Sequence, residues 1–321
     1  MFDLLMQKLN MNNPKGTPMQ KAVGWIKNHR IPNSGIVVHH KTKTVTPEVT
    51  GYIIDTLYRV GEKELAFDLA KWEASIQAPD GSIPAPGTDV PYSFDTAMLI
   101  RGFLAVVDEL PEIESNLRRA CDYVDSYIDP DGKVRTLTYD MWKLNDGSTL
   151  SEYGNLYMLP SMLFAGQKLN EPKYIAAAKR GVEYFRKKPD LVEFKPKLAM
   201  LSHYLGYMME ALVDLGEIEL AKKGLKQASD LQAADGSIPA YPGASWVCAT
   251  GLAQLSIAWY KLGMNGPADK CMDYLDKIQN PSGGFYGGYG RGVNYFDKQE
   301  ICWAAKFFID ACLLRNKAHY A

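Results

Sequence analysis

The chain has 321 residues, of which 46% are apolar and 23% charged, a balance typical of soluble globular proteins. Its formal net charge is −1, and Lys and Arg are spread along the sequence, which argues against a nucleic-acid surface or an anionic-membrane surface. No apolar run approaches the ~20 residues of a membrane span, no signal-peptide pattern is visible and the five cysteines lack paired spacing, so we expect a cytoplasmic protein with reduced thiols.

Helical periodicity runs through the chain in order, and two kinds of helix alternate. After an N-terminal extension over residues 1–17, the first helix is predicted from Pro18 to about His29. Helices that are apolar almost all round are predicted at 49–60, 93–107, 151–169, 198–215, 246–262 and 300–314. Helices with one apolar and one charged face are predicted at 62–77, 112–128, 172–187, 217–232 and 268–279. The first kind must be enclosed by other helices, whereas the second kind suits an outer layer.

A loop motif recurs between these helix pairs. The segment Gln-Ala-Pro-Asp-Gly-Ser-Ile-Pro from Gln77 returns as Gln-Ala-Ala-Asp-Gly-Ser-Ile-Pro from Gln232, and more loosely as Gln-Asn-Pro-Ser-Gly-Gly-Phe from Gln279. Such recurrence is the mark of a repeat architecture. With six enclosed and six outer helices, the sequence predicts an all-α, single-domain (α/α)6 toroid over residues 18–321. The Asp-Gly-Ser-Ile-Pro segments themselves are interpreted as turns.

The connections between helices are of two lengths. Turns from inner to outer helices are short and end on Gly61, Gly216 and Gly263, since glycine is the usual left-handed helix terminator. Loops from outer to inner helices are long and must all emerge at one end of the ring, beside the N-termini of the inner helices. Because long loops in a compact domain are usually functional, this mouth is the predicted site.

Carboxylates alternate with aromatic residues in these loops and in the first turns of the inner helices. This composition suits a sugar, because aromatic faces pack on the C–H face of a pyranose and carboxylates bind its hydroxyls or act as acid and base. The predicted substrate-binding residues are Glu48, Tyr92, Trp142, Tyr153, Tyr204, Trp246, Tyr295, Glu300 and Trp303. The candidate acid and base groups are Asp95, Asp140, Glu152 and His203.

Many of these residues have a structural alternative. An acid in a first turn can simply offset the helix dipole, which applies to Glu48, Glu152 and Glu300. Asp95 could cap its helix, and His203 could be a satisfied core histidine. Barrel packing is the alternative for two tryptophans, Trp246 and Trp303. Phosphate-loop, metalloprotease and zinc-type motifs are absent from the sequence, and neither a cofactor nor a metal is predicted.

The helical hairpins, the Gln-x-x-Asp-Gly loops and the segment Phe-Asp-Thr-Ala-Met-Leu-Ile-Arg-Gly over residues 94–102 resemble the six-hairpin glycosidase-like (α/α)6 toroids. This superfamily includes unsaturated uronide hydrolases, polysaccharide lyases, sugar epimerases and uncharacterised relatives linked to polysaccharide synthesis. The resemblance to the uronide hydrolases implies that Asp95 is one of two catalytic aspartates at the starts of neighbouring inner helices; the second falls near Asp140 or Glu152.

The resemblance therefore implies a carbohydrate-active protein that acts on an acidic or complex oligosaccharide by hydrolase, lyase or epimerase chemistry. His203 and Tyr153 would assist Asp95. The epimerases work with a histidine pair on inner helices, and only His203 has a counterpart here, which disfavours epimerase activity.

Two alternatives stay open. Residues 275–285 resemble the Gln/aromatic repeat of triterpene cyclases, and prenyltransferase β subunits share the toroid, but the cyclase Asp-x-Asp-Asp motif is absent. The prenyltransferase zinc set needs closely spaced Asp and Cys, and Asp297 and Cys302 are too far apart. A terpenoid enzyme is thus the weaker alternative. The other is a non-catalytic toroid that binds a glycan or a protein.

Overall fold

The computed structural model describes residues 16–135 and 152–320, and twelve α-helices lie in these ranges. The outer helices are α1 (Pro18–Asn28), α3 (Lys63–Ile76), α5 (Glu114–Ser126), α7 (Pro172–Arg186), α9 (Ile218–Asp230) and α11 (Asn265–Ile278). The inner helices are α2 (Pro47–Arg59), α4 (Ser93–Val106), α6 (Leu159–Lys168), α8 (Ser202–Asp214), α10 (Ala249–Lys261) and α12 (Cys302–Tyr320). The predicted extension lies outside the described residues up to residue 15.

The two helix types occupy two concentric layers, as predicted. Every residue from Ser202 to Leu212 of α8 is buried, whereas α9 buries a single stripe that includes Ala221 and Leu225. Each inner helix packs on the next around the ring, and α12 closes it by packing on α2 and on α1. The predicted (α/α)6 toroid is confirmed. No helix within the described ranges combines the length and the apolar character needed to cross a membrane.

Glycine ends the short inner-to-outer turns, as predicted. Gly61, Gly216 and Gly263 have φ values of +88°, +80° and +69°, and Asn170 takes the same left-handed conformation at +53°. Residues with a Cβ adopt this region at a steric cost, so glycine allows each inner helix to stop and the chain to reverse within a few residues.

The glutamine of each recurring loop joins two outer helices. The Gln77 amide donates to the carbonyl of Gly81 in its own loop (2.9 Å) and to the carbonyl of Asn116 in α5 (3.0 Å). The other two copies do the same, with carbonyls of Gly236 (3.3 Å) and Pro267 (2.9 Å) for Gln232, and of Gly283 and Pro18 (both 2.9 Å) for Gln279. The motif therefore ties α3 to α5, α9 to α11, and α11 to α1.

The acidic residue of the first two copies forms the predicted turn. Asp80 accepts hydrogen bonds from the backbone N–H (3.0 Å) and hydroxyl (2.7 Å) of Ser82, and Asp235 does the same with Ser237 at equal distances. These bonds are local side-chain-to-backbone contacts of the Asx-turn kind. The interpretation of the motif as turn chemistry is confirmed.

Three inner helices begin at least three residues later than the apolar pattern predicts. Residues Glu152–Met158 and Leu198–Met200 form 3-10 turns that precede α6 and α8. Residues Trp246–Cys248 form strand β1, which pairs antiparallel with β2 (Gly288–Gly290) before α10 starts. An apolar run alone does not distinguish helix from buried strand or turn, so the pattern located these segments but not their conformation.

Candidate active site

A cavity of about 700 Å³ opens at the end of the ring where the inner helices begin. Its lining includes first-turn residues of four inner helices together with parts of the long loops around 85–92 and 293–299. Seven predicted site residues line it: Glu48, Tyr92, Asp95, His203, Tyr204, Tyr295 and Trp303. The mouth expected from the lopsided loop lengths is thus the place where the described residues leave a hollow of ligand size.

Two carboxyl groups face this cavity from neighbouring inner helices. Glu48 is the second residue of α2 and is half-buried, and Asp95 is the third residue of α4 and is 4% exposed. Burial raises the pKa of Glu48 to about 7. Burial, and then the nearby charge of Glu48, raise the pKa of Asp95 well above its usual range. The pair therefore retains protons at neutral pH, which an ordinary surface carboxylate does not.

His203 stands in the first turn of α8 and is packed among aromatic rings. Its ring centroid lies 4.5 Å from that of Tyr207 and 5.2 Å from that of Tyr204. Burial lowers its pKa to about 4, although a hydrogen bond with Gln254 acts in the opposite direction. The imidazole is therefore neutral at the pH at which Glu48 titrates.

Aromatic side chains form one wall of the cavity. The Trp303 indole N–H donates to the Tyr295 hydroxyl (3.1 Å), and the Phe296 ring lies 5.0 Å from each of these two rings. Phe296 reaches this position with φ +47°, in the left-handed region that bulky residues rarely adopt. Residues in such strained backbone conformations cluster at active sites and ligand-binding loops.

The floor of the cavity is formed by Tyr52 and Tyr207, one helical turn below Glu48 and His203. Beneath them lies Lys306 of α12, with its ammonium 4.7 Å from the Tyr52 ring centroid and 2.8 Å from a carboxylate oxygen of Asp310. Asp310 also pairs with Arg59 at 2.6 Å. The charges of Lys306, Asp310 and Arg59 are thus paired with one another below the floor.

Four predicted residues of the described ranges do not line the cavity: Glu152, Tyr153, Trp246 and Glu300. Glu152 pairs with Lys188 at 2.9 Å and accepts a hydrogen bond from Tyr184. Tyr153 donates to Asp190. Trp246 packs over β2, so closely that a Cβ on Gly288 would come within 2.7 Å of its ring. The remaining two candidates, Asp140 and Trp142, lie outside the described residues.

Glu300 is the fourth of these residues, and it holds parts of the ring together. Its carboxylate accepts hydrogen bonds from the Trp25 indole (2.7 Å), the Asn280 amide (2.8 Å) and the Ser282 hydroxyl (2.6 Å). Burial acts to raise its pKa, but the three donors hold the pKa below its usual value. Glu300 therefore joins α1 and the third recurring loop to the segment that leads into α12.

The lining residues that the sequence did not predict include three aromatic side chains of the inner helices. Tyr52 and Tyr207 follow Glu48 and His203 by four positions, and Phe94 directly precedes Asp95. Residues four apart lie on the same face of a helix, so the i+4 spacing was the available signal for the two tyrosines. No group of His, Cys, Asp and Glu side chains suited to a metal occurs in the described parts of the chain.

No family model matches the chain, and no curated protein matches it in sequence. Solved structures are similar to it. An alpha-amylase from Clostridium perfringens has a TM-score of 0.72 at 13% identity, over 94% of this chain and 98% of its own. An unsaturated glucuronyl hydrolase specific for heparin has a TM-score of 0.69 at 13% identity, over 98% of both chains. A polysaccharide lyase has a TM-score of 0.63 at 13% identity, over 100% of this chain and 99% of its own. At such identities the likeness concerns the fold alone.

Proposed function

We propose that this protein binds an oligosaccharide in the aromatic cavity and cleaves a glycosidic bond, with Asp95 as the general acid and Glu48 as its partner. The observation that carries the proposal is the pair itself, two carboxyls with raised pKa values in the first turns of neighbouring inner helices, facing one cavity. Glycoside cleavage needs two carboxyl groups beside the scissile bond.

The two groups suit different roles. Asp95 is the more deeply buried, and its pKa is raised both by burial and by the charge of Glu48, so it retains the proton that a leaving oxygen needs. Glu48, with a pKa of about 7, ionises close to neutral pH and can serve as base or nucleophile. Pairs of acids whose surroundings separate their proton affinities are typical of acid and base assignments.

This assignment moves the partner of Asp95 from Asp140 or Glu152 to Glu48. Glu152 is engaged by Lys188 and Tyr184 on the outer side of the ring. Asp140 remains a prediction. Tyr92, Tyr204, Tyr295 and Trp303 are proposed to bind the sugar, since their rings offer apolar faces with polar edges. The structural neighbours include glycosidases, and this similarity of fold supports the proposal only by analogy.

The test compares Asp95→Asn and Glu48→Gln with the wild type on a panel of neutral and uronate-containing oligosaccharides. New reducing ends report hydrolysis, and absorbance of an unsaturated product reports lyase chemistry. We expect each substitution to lower kcat by about 10²–10⁴-fold. Wild-type activity should rise as pH increases through about 7, where Glu48 ionises, and this limb should disappear in Glu48→Gln.

Asp108→Asn is the matched control. Asp108 follows the opposite end of α4, where it is exposed and pairs with Lys168, so its substitution should leave turnover unchanged. Full activity in a folded Asp95→Asn variant contradicts the proposal. Sugar binding without turnover by the wild type would favour the non-catalytic toroid instead.

A further inference from the structure

Gln254 and His203 form a buried pair that joins two neighbouring inner helices. The His203 Nδ1 lies 2.5 Å from the Gln254 Oε1, and the two residues are 4% and 0% exposed. The approach depends on Gly206 of α8, because a Cβ there would come within 2.6 Å of the Gln254 Cβ. A third inner-helix residue is thus shaped to let this amide reach the imidazole.

The chemistry of the amide fixes the tautomer of the ring. With the Gln254 oxygen facing the ring, the proton in this hydrogen bond belongs to Nδ1 of His203, because an amide oxygen has no proton to donate. The amide NH2 group is then buried without a partner among the described residues. A neutral imidazole carries only one proton, which leaves Nε2 as an acceptor. The ring is neutral because burial lowers its pKa to about 4.

Within the described ranges, no protein group donates a hydrogen bond to Nε2 of His203. His203 lines the cavity, so a bound ligand can supply that donor. The rings packed around the imidazole, those of Tyr204, Tyr207, Tyr295 and Phe307, restrict its orientation. A group that binds at Nε2 must therefore bring its own proton. A sugar hydroxyl does so, whereas an ionised carboxylate does not.

We infer that Gln254 is a positioning residue that holds His203 as the Nδ1–H tautomer, so that Nε2 accepts a hydrogen bond from a hydroxyl of the substrate. The identity of the ligand as a sugar rests on the proposed function, but the tautomer and its cause do not. At this subsite the site selects a hydroxyl over a carboxylate, because the carboxylate would present a lone pair to a lone pair.

The tautomer is measured on the free protein by ¹⁵N NMR of labelled histidine, with His203→Asn used to assign the signal. We expect a single Nδ1–H tautomer in the wild type. Gln254→Met removes the acceptor and should release that tautomer, whereas Gln254→Glu keeps an acceptor oxygen and should restore it. Gln227→Met is the matched control, because the Gln227 amide binds the carbonyl of Val192 on the outer side of the ring and should not affect His203.

An Nε2–H tautomer in the wild type overturns the inference, and so does an unchanged tautomer in folded Gln254→Met. If Gln254→Met does not fold, the wild-type spectrum decides alone. On a cleaved oligosaccharide, Gln254→Met should raise KM about tenfold, the loss of one hydrogen bond, and leave the pH limb set by Glu48 in place. An Nδ1–H tautomer in a protein that cleaves no sugar would refute the proposed function while leaving the role of Gln254 intact.

Discussion

Buried carboxyl groups in this protein fall into two sets that differ in their neighbours. Burial acts to raise the pKa of Asp310, but Arg59 and Lys306 hold that pKa below its usual value. Glu73 of α3 is equally enclosed, at 0% exposure, and neither of its carboxyl oxygens has a hydrogen-bond partner among residues 16–135 and 152–320. Burial, and then the charge of Asp95, raise the pKa of Glu73 well above its usual value. Glu73 thus adds a third proton-retaining acid near the proposed pair.

Replacing Glu73 by Gln should stabilise the protein relative to the wild type as pH rises. The folded pKa of Glu73 is above the unfolded one, so between them the native state binds more protons and the unfolding free energy falls with pH. Gln does not titrate, so the stability of Glu73→Gln relative to the wild type should grow by up to about 1.4 kcal/mol per pH unit within that window. Urea unfolding at about pH 6 and about pH 8 measures this difference.

Glu300→Gln provides the opposite case. The pKa of Glu300 is lowered, so its contribution to stability is fully present above the unfolded pKa and is lost only as pH falls through the folded value. Its stability relative to the wild type should therefore stay constant over the same interval. A constant difference for Glu73→Gln as well would mean that Glu73 ionises normally in the folded protein.

Position in a first turn identified some cavity residues but did not separate them from structural ones. The same argument selected Glu48, Asp95 and Glu300, yet only the first two line the cavity. An acid at a helix start serves the N-terminal N–H groups whether or not a cavity lies beside it. What distinguishes Glu300 is its three donors, two from the third recurring loop and one from Trp25, which is 275 residues away in sequence. Such contacts are set by tertiary packing, which local spacing does not encode.

At the scale of elements, α2 and α4 approach at backbone contact. A Cβ on Gly102 would lie 2.1 Å from the carbonyl oxygen of Gly51, and one on Gly51 would lie 2.9 Å from the Leu99 Cα. These are the helices that carry Glu48 and Asp95. Their close packing therefore sets the separation of the two carboxyl groups.

Gly102→Ala should push α4 away from α2. Because the obstructing atom belongs to backbone, the helices must shift, and overpacking of this kind costs about 1–3 kcal/mol. We expect a lower unfolding free energy by urea titration and reduced turnover. Gly24→Ala in α1 is the control, since a Cβ there meets nothing within 4 Å and should stabilise the helix by about 0.5–1 kcal/mol. Wild-type stability in Gly102→Ala would show that the two helices have room to spare.

Helix positions followed from periodicity, whereas the starts of three inner helices did not. The segment around Trp246 is uniformly apolar, and it becomes a strand because β2 is glycine-rich and lets the tryptophan ring lie over its backbone. The start of α8 is delayed because the Ser202 N–H donates to the carbonyl of Ala240 (2.6 Å) in another loop. Both conformations depend on partners that are more than 35 residues away in sequence.

At the scale of the whole molecule, the alternation of two helix types was sufficient to predict the closed ring. An all-round apolar helix has only one stable place, inside other helices, and six such helices separated by two-faced ones close on themselves. Loop conformation was beyond this argument. The aromatic wall of the cavity includes Phe296 in the left-handed backbone conformation, which bulky residues rarely adopt and which residue propensities therefore do not predict.

The third copy of the recurring motif closes the layer of outer helices, and Gln279→Leu tests that closure. Gln279 links α11 to Pro18 of α1 across 261 residues, whereas Gln77 links neighbours 39 residues apart. Gln279→Leu and the comparison variant Gln77→Leu each leave two carbonyls unpaired, which should cost about 1–3 kcal/mol. Gln77→Leu also removes the oxygen that accepts hydrogen bonds from Asn116 (2.8 Å) and Arg119 (3.0 Å). Only Gln279→Leu should speed hydrogen exchange in α1, because it loosens the first helix from the last hairpin. Equal exchange of α1 in Gln279→Leu and Gln77→Leu would show that packing on α12, rather than this amide, holds the ring shut.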